Sequence, residues 1–249
     1  MARTFEALKR AEKDKQIKIE ETKVFEQKLH VKPTVPKRLS VSSQVVEEYH
    51  RMKQHIKTMA QEETIRTILF SSAVHGEGTT TVLVNFGITL ANECNTVLLV
   101  DANLRSPSLH QIFNVEQRRG LSSLLQGKSS LTDVIKKTNI NNLSVITSGS
   151  SPSNPFNIFE SESLGSLIEQ MKEHAYWVLF DSPPVNQYNE ALLLSSKVNG
   201  VIMVVQAEDT RWEVAQNARL RIENDKVKLL GVVLNKRKMY LPEWVYKRL

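Results

Sequence analysis

The sequence predicts an α/β fold, with a mostly parallel sheet, helices on both faces and a helical N-terminal extension. From residue 65 onward, short aliphatic or β-branched runs alternate with longer stretches of helical pattern, which is typical of strands joined by crossover helices. The apolar runs are continuous and do not alternate with polar residues, as expected for strands buried on both faces. Since ligands of such sheets bind at the carboxyl ends of the strands, the residues that follow the strands are the first candidates for a site.

The elements follow from these runs in chain order. A helix is predicted at 45–59, where apolar residues recur at helical spacing. The predicted strands are 65–70, 96–100, 143–146, 177–180, 200–205 and 229–234. The predicted helices between them are 79–92, 121–138, 156–173, 190–196 and 211–224.

Composition predicts three regions within the 249 residues. Residues 1–40 form a Lys- and Glu-rich helical or flexible extension that ends in a linker containing Pro33 and Pro36. Residues 41–238 form the main domain, and residues 239–249 form a basic, aromatic tail. The tail could be an interfacial anchor, a docking peptide or a segment that packs on the core.

Composition also excludes several classes of protein. The chain is 41% hydrophobic and 24% charged, so it can form a core and is neither collagen-like nor wholly disordered. Its single cysteine, Cys94, excludes a disulfide framework and a cysteine-built zinc site. No apolar run approaches the roughly 18–20 residues that cross a bilayer. We therefore expect a cytosolic protein.

The net charge of +6 is unevenly distributed. Residues 1–66 carry +5, residues 67–225 carry −5 and residues 226–249 carry +6. An acidic centre argues against nucleic-acid binding, which favours one continuous basic face. The basic ends are either merely solvated or make peripheral contact with an anionic membrane surface or an acidic partner.

A glycine-containing loop lies between the first predicted strand and the next helix. Its residues, in order, are Gly76, Glu77, Gly78, Thr79, Thr80 and Thr81. Glycines just before a helix let backbone N–H groups surround a phosphate at the positive helix end. In the phosphate-loop pattern G-x-x-x-x-G-K-[ST], Thr79 takes the place of the lysine and Thr80 that of the metal-binding hydroxyl.

Acidic residues end two other predicted strands. Asp101 follows the second strand, and Asp181 follows the strand at 177–180 in the manner of a Walker B acid. Either residue alone could simply cap a turn. Together with the glycine loop they bring three strand ends to one edge, which predicts a nucleotide site on a sheet of the P-loop NTPase type.

Residues 67–235 resemble the cytoplasmic domain of bacterial tyrosine kinases, the BY-kinases of capsule and exopolysaccharide chain assembly. The resemblance rests on ordered motifs at 71–81, 99–110, 120–127, 147–155, 180–185 and 230–235. It implies that residues 76–81 bind the phosphates of Mg-ATP or Mg-ADP, and that Thr80, Asp101 and Asp181 hold the magnesium. It further implies that Asn235 contacts adenine and that Asp101, Asn103 and Arg105 occupy catalytic positions.

The chain departs from that family at several of these positions. Thr79 replaces the lysine that grips the phosphates, and Asn103 replaces the second aspartate, which is the proposed base for the tyrosine hydroxyl. An amide can position a group but cannot accept its proton. Only Tyr240 and Tyr246 lie near the C-terminus, where the family has a cluster of tyrosines.

The family's ring-forming motif is also altered. It has a glutamate followed by arginines three and six positions later, where this chain has Glu47, His50 and Lys53. Lysine cannot reproduce the bidentate fork of arginine, and an unperturbed histidine is largely neutral at pH 7. This pattern leaves open whether the chain forms a homo-oligomer.

The sequence as a whole predicts a degenerate BY-kinase-like regulator of exopolysaccharide synthesis with weak or no ATP binding. Its partner would be a membrane polysaccharide co-polymerase of the chain-length determinant type, which would hold it at the inner face of the plasma membrane. One alternative is an active tyrosine autokinase that recruits a lysine from elsewhere. The other is a positioning ATPase of the division-site or partition type, although residues 71–75 lack that group's additional lysine.

Overall fold

The structure is a computed structural model that describes residues 43–59, 64–152, 154–161, 163–224 and 227–238. The predicted extension at 1–40 and the predicted tail at 239–249 lie outside these residues, so the division into three regions stays a prediction. The strands are β1 (Thr67–Ser72), β2 (Val97–Asp101), β3 (Ile135–Lys137), β4 (Leu143–Ile146), β5 (Trp177–Asp181), β6 (Gly200–Gln206) and β7 (Leu229–Asn235). The helices are α1 (Ser43–Met59), α2 (Thr79–Asn92), α3 (Leu109–Phe113), α4 (Leu121–Leu125), α5 (Leu131–Val134), α6 (Pro155–Phe159), α7 (Ser163–His174), α8 (Glu190–Ser195) and α9 (Trp212–Asn224).

The seven strands form one sheet in the order β3-β4-β2-β5-β1-β6-β7. All neighbouring pairs are parallel except β3 and β4. The α/β fold with a mostly parallel sheet is therefore confirmed. Each predicted strand is present within two residues of its expected bounds.

Two predicted helices are wrong in extent. The stretch at 121–138 forms the short helices α4 and α5 and then the antiparallel edge strand β3. The stretch at 156–173 is likewise divided between α6 and α7. In the first case, Gly127 adopts a left-handed φ of 68° after α4, and Ser130 then caps α5 by accepting a hydrogen bond from the backbone N–H of Asp133.

The core consists of two apolar layers, one on each face of the sheet. Successive strand residues alternate between them: Leu98, Val178 and Val201 belong to one layer, whereas Leu99 and Leu179 belong to the other. Helices α1, α2 and α3 cover the second layer, and α4 to α9 pack on the first. This arrangement explains the continuous apolar runs, because both faces of β1, β2 and β5 are buried.

Parallel pairing brings the carboxyl ends of β1, β2, β5 and β6 to one edge. Asp101 and Asp181 are partners in the register of β2 and β5, and Phe70 pairs with Asp181 across β1 and β5. The glycine loop leaves β1 at this same edge. Within the described ranges, no helix is both long and apolar enough to span a membrane.

Candidate functional site

The glycine loop turns directly from β1 into α2. Gly76 and Gly78 have φ values of 88° and 92°, a left-handed conformation that glycine adopts without strain. Gly78 is the N-cap of α2 and provides no side chain for capping. The first N–H groups of a helix have no partner within the helix, so this end of α2 can bind an anion such as a phosphate.

The side chain of Glu77 supports the loop from within the protein and is 1% exposed. Its Oε2 accepts hydrogen bonds from the backbone N–H groups of Ala73 (2.7 Å) and Val74 (2.9 Å). Its Oε1 accepts from the backbone N–H of Gln206 at 3.1 Å and from the Thr210 hydroxyl at 2.5 Å. Sequence reasoning grouped Glu77 with the phosphate-binding residues, but its carboxylate is fully engaged in joining the loop to the end of β6.

Asn235 and Lys236 contact the loop from the end of β7. The Asn235 Nδ2 donates to the carbonyl oxygen of Glu77 at 2.8 Å, and the Lys236 Nζ donates to that of Gly76 at 2.6 Å. A Cβ on Gly78 would lie 2.3 Å from the Asn235 Nδ2. Glycine is therefore required at 78 both for its φ and for the close approach of Asn235.

Thr80, Asp101 and Asp181 come together beside this loop. The Thr80 hydroxyl donates to the Asp181 Oδ2 at 2.6 Å. The Asp101 Oδ2 accepts from the backbone N–H groups of Ser108 and Leu109, both at 3.0 Å, and so holds the start of α3. The Ser108 hydroxyl also lies 3.3 Å from the Thr80 Oγ1.

Burial perturbs both aspartates. It raises the pKa of Asp101 to about 6, against hydrogen bonds from the N–H groups of Leu109, Ser108 and Asn103, which lower it. Burial and the negative charge of Asp101 raise the pKa of Asp181 well above its usual range, while the Thr80 hydroxyl lowers it. Two carboxylates this close stabilise a shared proton or a bound cation.

These residues fit a magnesium ion. The Oδ1 atoms of Asp101 and Asp181 are buried and have no hydrogen-bond partner, and buried oxygen atoms without partners are uncommon in proteins. Mg²⁺ takes oxygen ligands and is commonly held by one or two carboxylates together with phosphate oxygens and waters. When bound, it would neutralise charge on nucleotide phosphates, and Thr80, Asp101 and Asp181 would hold it.

The other predicted phosphate-loop residues lie in the first turn of α2. Thr79 is its first residue and is 9% exposed, so the expected lysine is replaced by a small, uncharged and nearly buried side chain. Thr81 follows in the same turn and is exposed. The phosphate-binding capacity of this turn therefore rests on its backbone and on Thr80.

Asn103 and Arg105 are both engaged with the protein. The Asn103 Oδ1 accepts from the backbone N–H of Ser106 at 3.1 Å and so closes a local turn. The Arg105 guanidinium donates to the Glu190 Oε1 through Nε (3.0 Å) and Nη2 (2.5 Å), and it lies 4.3 Å from the centre of the Tyr188 ring. Glu190 is 3% exposed, so Arg105 neutralises a buried carboxylate, whose burial without a partner would be costly.

The residues of the altered ring motif make contacts within the chain. Glu47 pairs with Arg51 on the exposed side of α1 (2.9 Å). The His50 Nδ1 lies 2.6 Å from Glu93, at the end of α2, and the Lys53 ammonium also contacts the Glu93 carboxylate. Partial burial would raise the pKa of Glu93, but hydrogen bonds and charge from Lys53 and His50 lower it.

Sequence reasoning missed three participants in this site. Ser108 bridges Asp101 and Thr80, Glu190 binds Arg105, and Lys236 contacts the loop. Lys236 could have been found, because it directly follows the candidate Asn235 at a strand end. Nothing local to Ser108 or Glu190 predicts its partner.

The site can be compared with known proteins. The sequence model of the ParA family, described as an iron-transfer P-loop NTPase (NUBPL), matches residues 63–246. The tyrosine-protein kinase YwqD of Bacillus subtilis is 31% identical over 193 residues, which cover 78% of this chain and 81% of that protein.

Solved structures agree with this comparison. The chimerical protein CapA2B2 is 31% identical to this chain, with a TM-score of 0.75. The match covers 85% of this chain and 89% of the CapA2B2 chain. The septum site-determining protein MinD of Pyrococcus horikoshii, solved with Mg-ADP, is 21% identical with a TM-score of 0.60 over 74% of this chain and 77% of its own. The likeness to MinD shows the fold alone.

Proposed function

We propose that this chain, which belongs to the bacterial tyrosine kinase (BY-kinase) family of P-loop NTPases, is a degenerate member of that family. It regulates its partner and does not phosphorylate it. It acts in exopolysaccharide or capsule synthesis, the process that the family resemblance implies. It docks on the cytoplasmic side of a membrane polysaccharide co-polymerase and is thereby peripheral to the plasma membrane. It binds Mg-ATP or Mg-ADP weakly or not at all.

The observation that carries the proposal is Thr79 at the position of the phosphate-gripping lysine. The glycine loop, Thr80 and both aspartates surround a turn that lacks this one charge. A preorganised charge directed at transferring phosphoryl oxygens is worth roughly 10²–10³ in rate. A site that keeps its backbone and metal positions but lacks this charge is suited to nucleotide binding more than to phosphoryl transfer.

Asn103 and Arg105 support the same conclusion. The amide of Asn103 cannot accept a proton from a tyrosine hydroxyl, and its oxygen already accepts the Ser106 N–H. Arg105 binds the buried carboxylate of Glu190, and removing it would leave that charge unpaired. Neither side chain is therefore free for catalysis without rearrangement.

The contacts of α1 bear on assembly. His50 and Lys53 both bind Glu93 of the same chain, so the positions that serve ring formation in the family are already paired here. We therefore propose that any homo-oligomer depends on other surfaces, and that the principal partner is the co-polymerase.

The test is a calorimetric titration of the full chain with Mg-ATP, beside Thr79→Lys and the uncharged control Thr79→Met. We expect weak or undetectable binding by the wild type and an increase of about 10- to 100-fold for Thr79→Lys, because a charged hydrogen bond to phosphate is restored. Thr79→Met should not gain affinity. Micromolar binding by the wild type, without a gain from lysine, would contradict the proposal.

The second candidate function is an active tyrosine autokinase. The contact between Thr80 and Asp181, and the unpartnered Oδ1 atoms of both aspartates, favour it, because these are the atoms a metal-dependent kinase needs. Phosphotyrosine that accumulates on the purified wild type with Mg-ATP, and is absent from Asp181→Ala, would establish this activity. We expect no phosphotyrosine on either protein.

A further inference from the structure

We propose that a cavity at the amino-terminal edge of the sheet binds a small phosphate monoester, such as a sugar phosphate. This edge is opposite the glycine loop, because the parallel strands that carry Asp101 and Asp181 at their carboxyl ends begin here. The cavity is a second site, and its proposed ligand does not depend on nucleotide binding.

The cavity lies where the starts of β2 and β4 meet the end of α7. Its volume is about 420 Å³, and pockets of roughly 300–1,000 Å³ commonly hold small molecules. Strand β3 and the turn at 138–142, which joins it to β4, also contribute residues to the lining. We call this space the amino-edge cavity.

A row of side chains across three strands lines the amino-edge cavity. In the register of the sheet, Lys137 of β3 pairs with Ser144 of β4, and Ser144 pairs with Leu98 of β2. Paired residues project to the same face of a sheet, and Leu98 belongs to the apolar layer that α7 covers. The row therefore lies on the α7 side, where His174 and Ala175 also line the cavity.

The charges of the lining favour an anion. Among the described residues that line the cavity, Lys137 and His174 can carry a positive charge and none is acidic. Within the described part of the chain, the side chains of Lys137, Ser144 and His174 form no hydrogen bond or ion pair. Lysine binds phosphate as a point charge, and hydroxyl and imidazole groups can donate hydrogen bonds beside it.

The end of α7 does not oppose an anion, although the last carbonyl groups of a helix carry partial negative charge. The Arg66 guanidinium donates through Nη2 to the carbonyl oxygens of Lys172 (2.5 Å) and Ala175 (3.1 Å). Its Nε donates to the carbonyl oxygen of Tyr176 at 3.1 Å. A full positive charge therefore covers the negative end of this helix.

The turn between β3 and β4 is already ordered by hydrogen bonds. The Thr138 hydroxyl donates to the carbonyl oxygen of Leu143 at 2.9 Å and accepts from the backbone N–H of Ile140 at 3.1 Å. The carbonyl oxygen of Asn142 accepts from the backbone N–H of Val97 at 2.8 Å. A preformed wall reduces the free-energy cost of ordering that accompanies binding.

The lining also has apolar surface, which a bare phosphate ion would not use. Leu98, Ile135 and Ala175 can contact the carbon skeleton of a ligand. A phosphate monoester carries a charge of about −1.5 to −2 at pH 7, which suits Lys137 and His174. Its organic part supplies carbon atoms for the apolar residues and hydroxyl groups for the polar ones.

The experiment titrates the full chain with glucose 6-phosphate and, separately, with inorganic phosphate and with glucose. Calorimetry measures affinity, and amide NMR shifts locate the ligand. The variants are Lys137→Met, which removes the charge, and Ser144→Val, which removes the hydroxyl and keeps a residue favoured in strands. The control is Lys197→Met, which changes an exposed lysine after α8 that does not line the cavity.

We expect the wild type to bind glucose 6-phosphate with a dissociation constant of roughly 1 mM or below, inorganic phosphate more weakly and glucose not measurably. Lys137→Met should weaken glucose 6-phosphate by about 10-fold or more, because a charged hydrogen bond is lost. Ser144→Val should weaken it by about threefold or more, and Lys197→Met should stay within about twofold of the wild type. Amide shifts should occur at 137–144 and not at 76–81.

Several results would overturn the proposal. Amide shifts at 76–81 would place the phosphate in the glycine loop, and equal affinities for inorganic phosphate and glucose 6-phosphate would show that the organic part is not bound. Undetectable binding of glucose 6-phosphate, or unchanged binding by Lys137→Met, would remove the ligand from the amino-edge cavity. None of these results bears on Mg-ADP binding, so the proposed function is tested separately.

Discussion

At the scale of single residues, three buried carboxylates near the glycine loop have different roles. Both carboxylate oxygens of Glu77 accept hydrogen bonds, one from the loop and the other from the last residue of β6 and from Thr210. Asp101 and Asp181 each keep one buried oxygen without a partner. Since a satisfied buried carboxylate stabilises structure and an unsatisfied one costs free energy, Glu77 is structural, whereas the aspartates are suited to a ligand.

This difference predicts a large effect of Glu77→Gln. Each oxygen of Glu77 accepts from at least one backbone N–H, so an amide nitrogen on either side would oppose a donor. We expect a loss of about 2–3 kcal/mol in the free energy of unfolding, or roughly 4–12 °C in Tm for a chain of this size. Thermal denaturation measures it.

Glu173→Gln is the matched control, because Glu173 is exposed near the end of α7. It should shift the Tm by less than about 2 °C, as surface substitutions commonly do. Equal Tm values for Glu77→Gln and the wild type would show that the Glu77 carboxylate does not stabilise the loop.

At the scale of elements, α1 is joined to the body by packing and by ion pairs. Tyr49 and Ile56 are buried against the layer that contains α2, with the rings of Tyr49 and Phe86 6.4 Å apart. His50 and Lys53 bind Glu93 at the end of α2. Burial of apolar side chains contributes more to the free energy of folding than partly exposed ion pairs do. Packing therefore holds this helix more than the ion pairs do.

We therefore expect Ile56→Ala and Glu93→Gln to differ. Ile56 is 1% exposed, and its truncation should cost about 2–4 kcal/mol in the free energy of unfolding through lost contacts and a residual cavity. Glu93→Gln should cost about 1 kcal/mol or less. Urea denaturation of both variants measures these two losses in the free energy of unfolding. A larger loss for Glu93→Gln than for Ile56→Ala would show that ion pairs, and not packing, hold α1.

At the scale of the whole molecule, the aspartate pair links stability to pH and to Mg²⁺. The pKa of Asp101 is about 6 in the folded protein and near 3.8 when unperturbed. The folded state therefore keeps a proton that the unfolded state releases, and this contribution to stability is complete below about pH 4. It is lost as the pH rises through about 6.

Without metal, we expect the wild type to lose roughly 2–3 kcal/mol relative to Asp101→Asn between pH 4 and pH 6.5. The asparagine side chain at this position does not titrate and keeps an acceptor for the N–H groups of Ser108 and Leu109. Thermal denaturation in EDTA at several pH values gives this difference.

Mg²⁺ should restore part of the lost stability above pH 6, because a cation replaces the proton between the carboxylates. Repeating the pH series with Mg²⁺ in place of EDTA should raise the Tm of the wild type more at pH 7.5 than at pH 5. Asp101→Asn should respond little to Mg²⁺ at either pH. A Mg²⁺ response that is equal at both pH values would contradict the link between metal and aspartates.

Much of the architecture was predictable from local sequence. Continuous apolar runs identified the strands because β1, β2 and β5 are buried on both faces. The ends of β2 and β5 bring Asp101 and Asp181 to one edge, and the loop after β1 brings Thr80 there. The stretch at 121–138 was wrongly predicted as one helix, because the turn at Gly127 and the edge strand β3 interrupt a sequence of mixed apolar pattern.

The sequence alone determined the chain order of the six parallel strands, the glycine loop and the presence of Thr79 at the lysine position, since these depend on neighbouring residues. Only the tertiary structure decided the partners: Arg105 binds a glutamate 85 residues later, and Lys236 binds a glycine 160 residues earlier. Such contacts depend on which strands become neighbours in the sheet. Local periodicity predicts that a strand forms but not which distant side chain will lie beside its end.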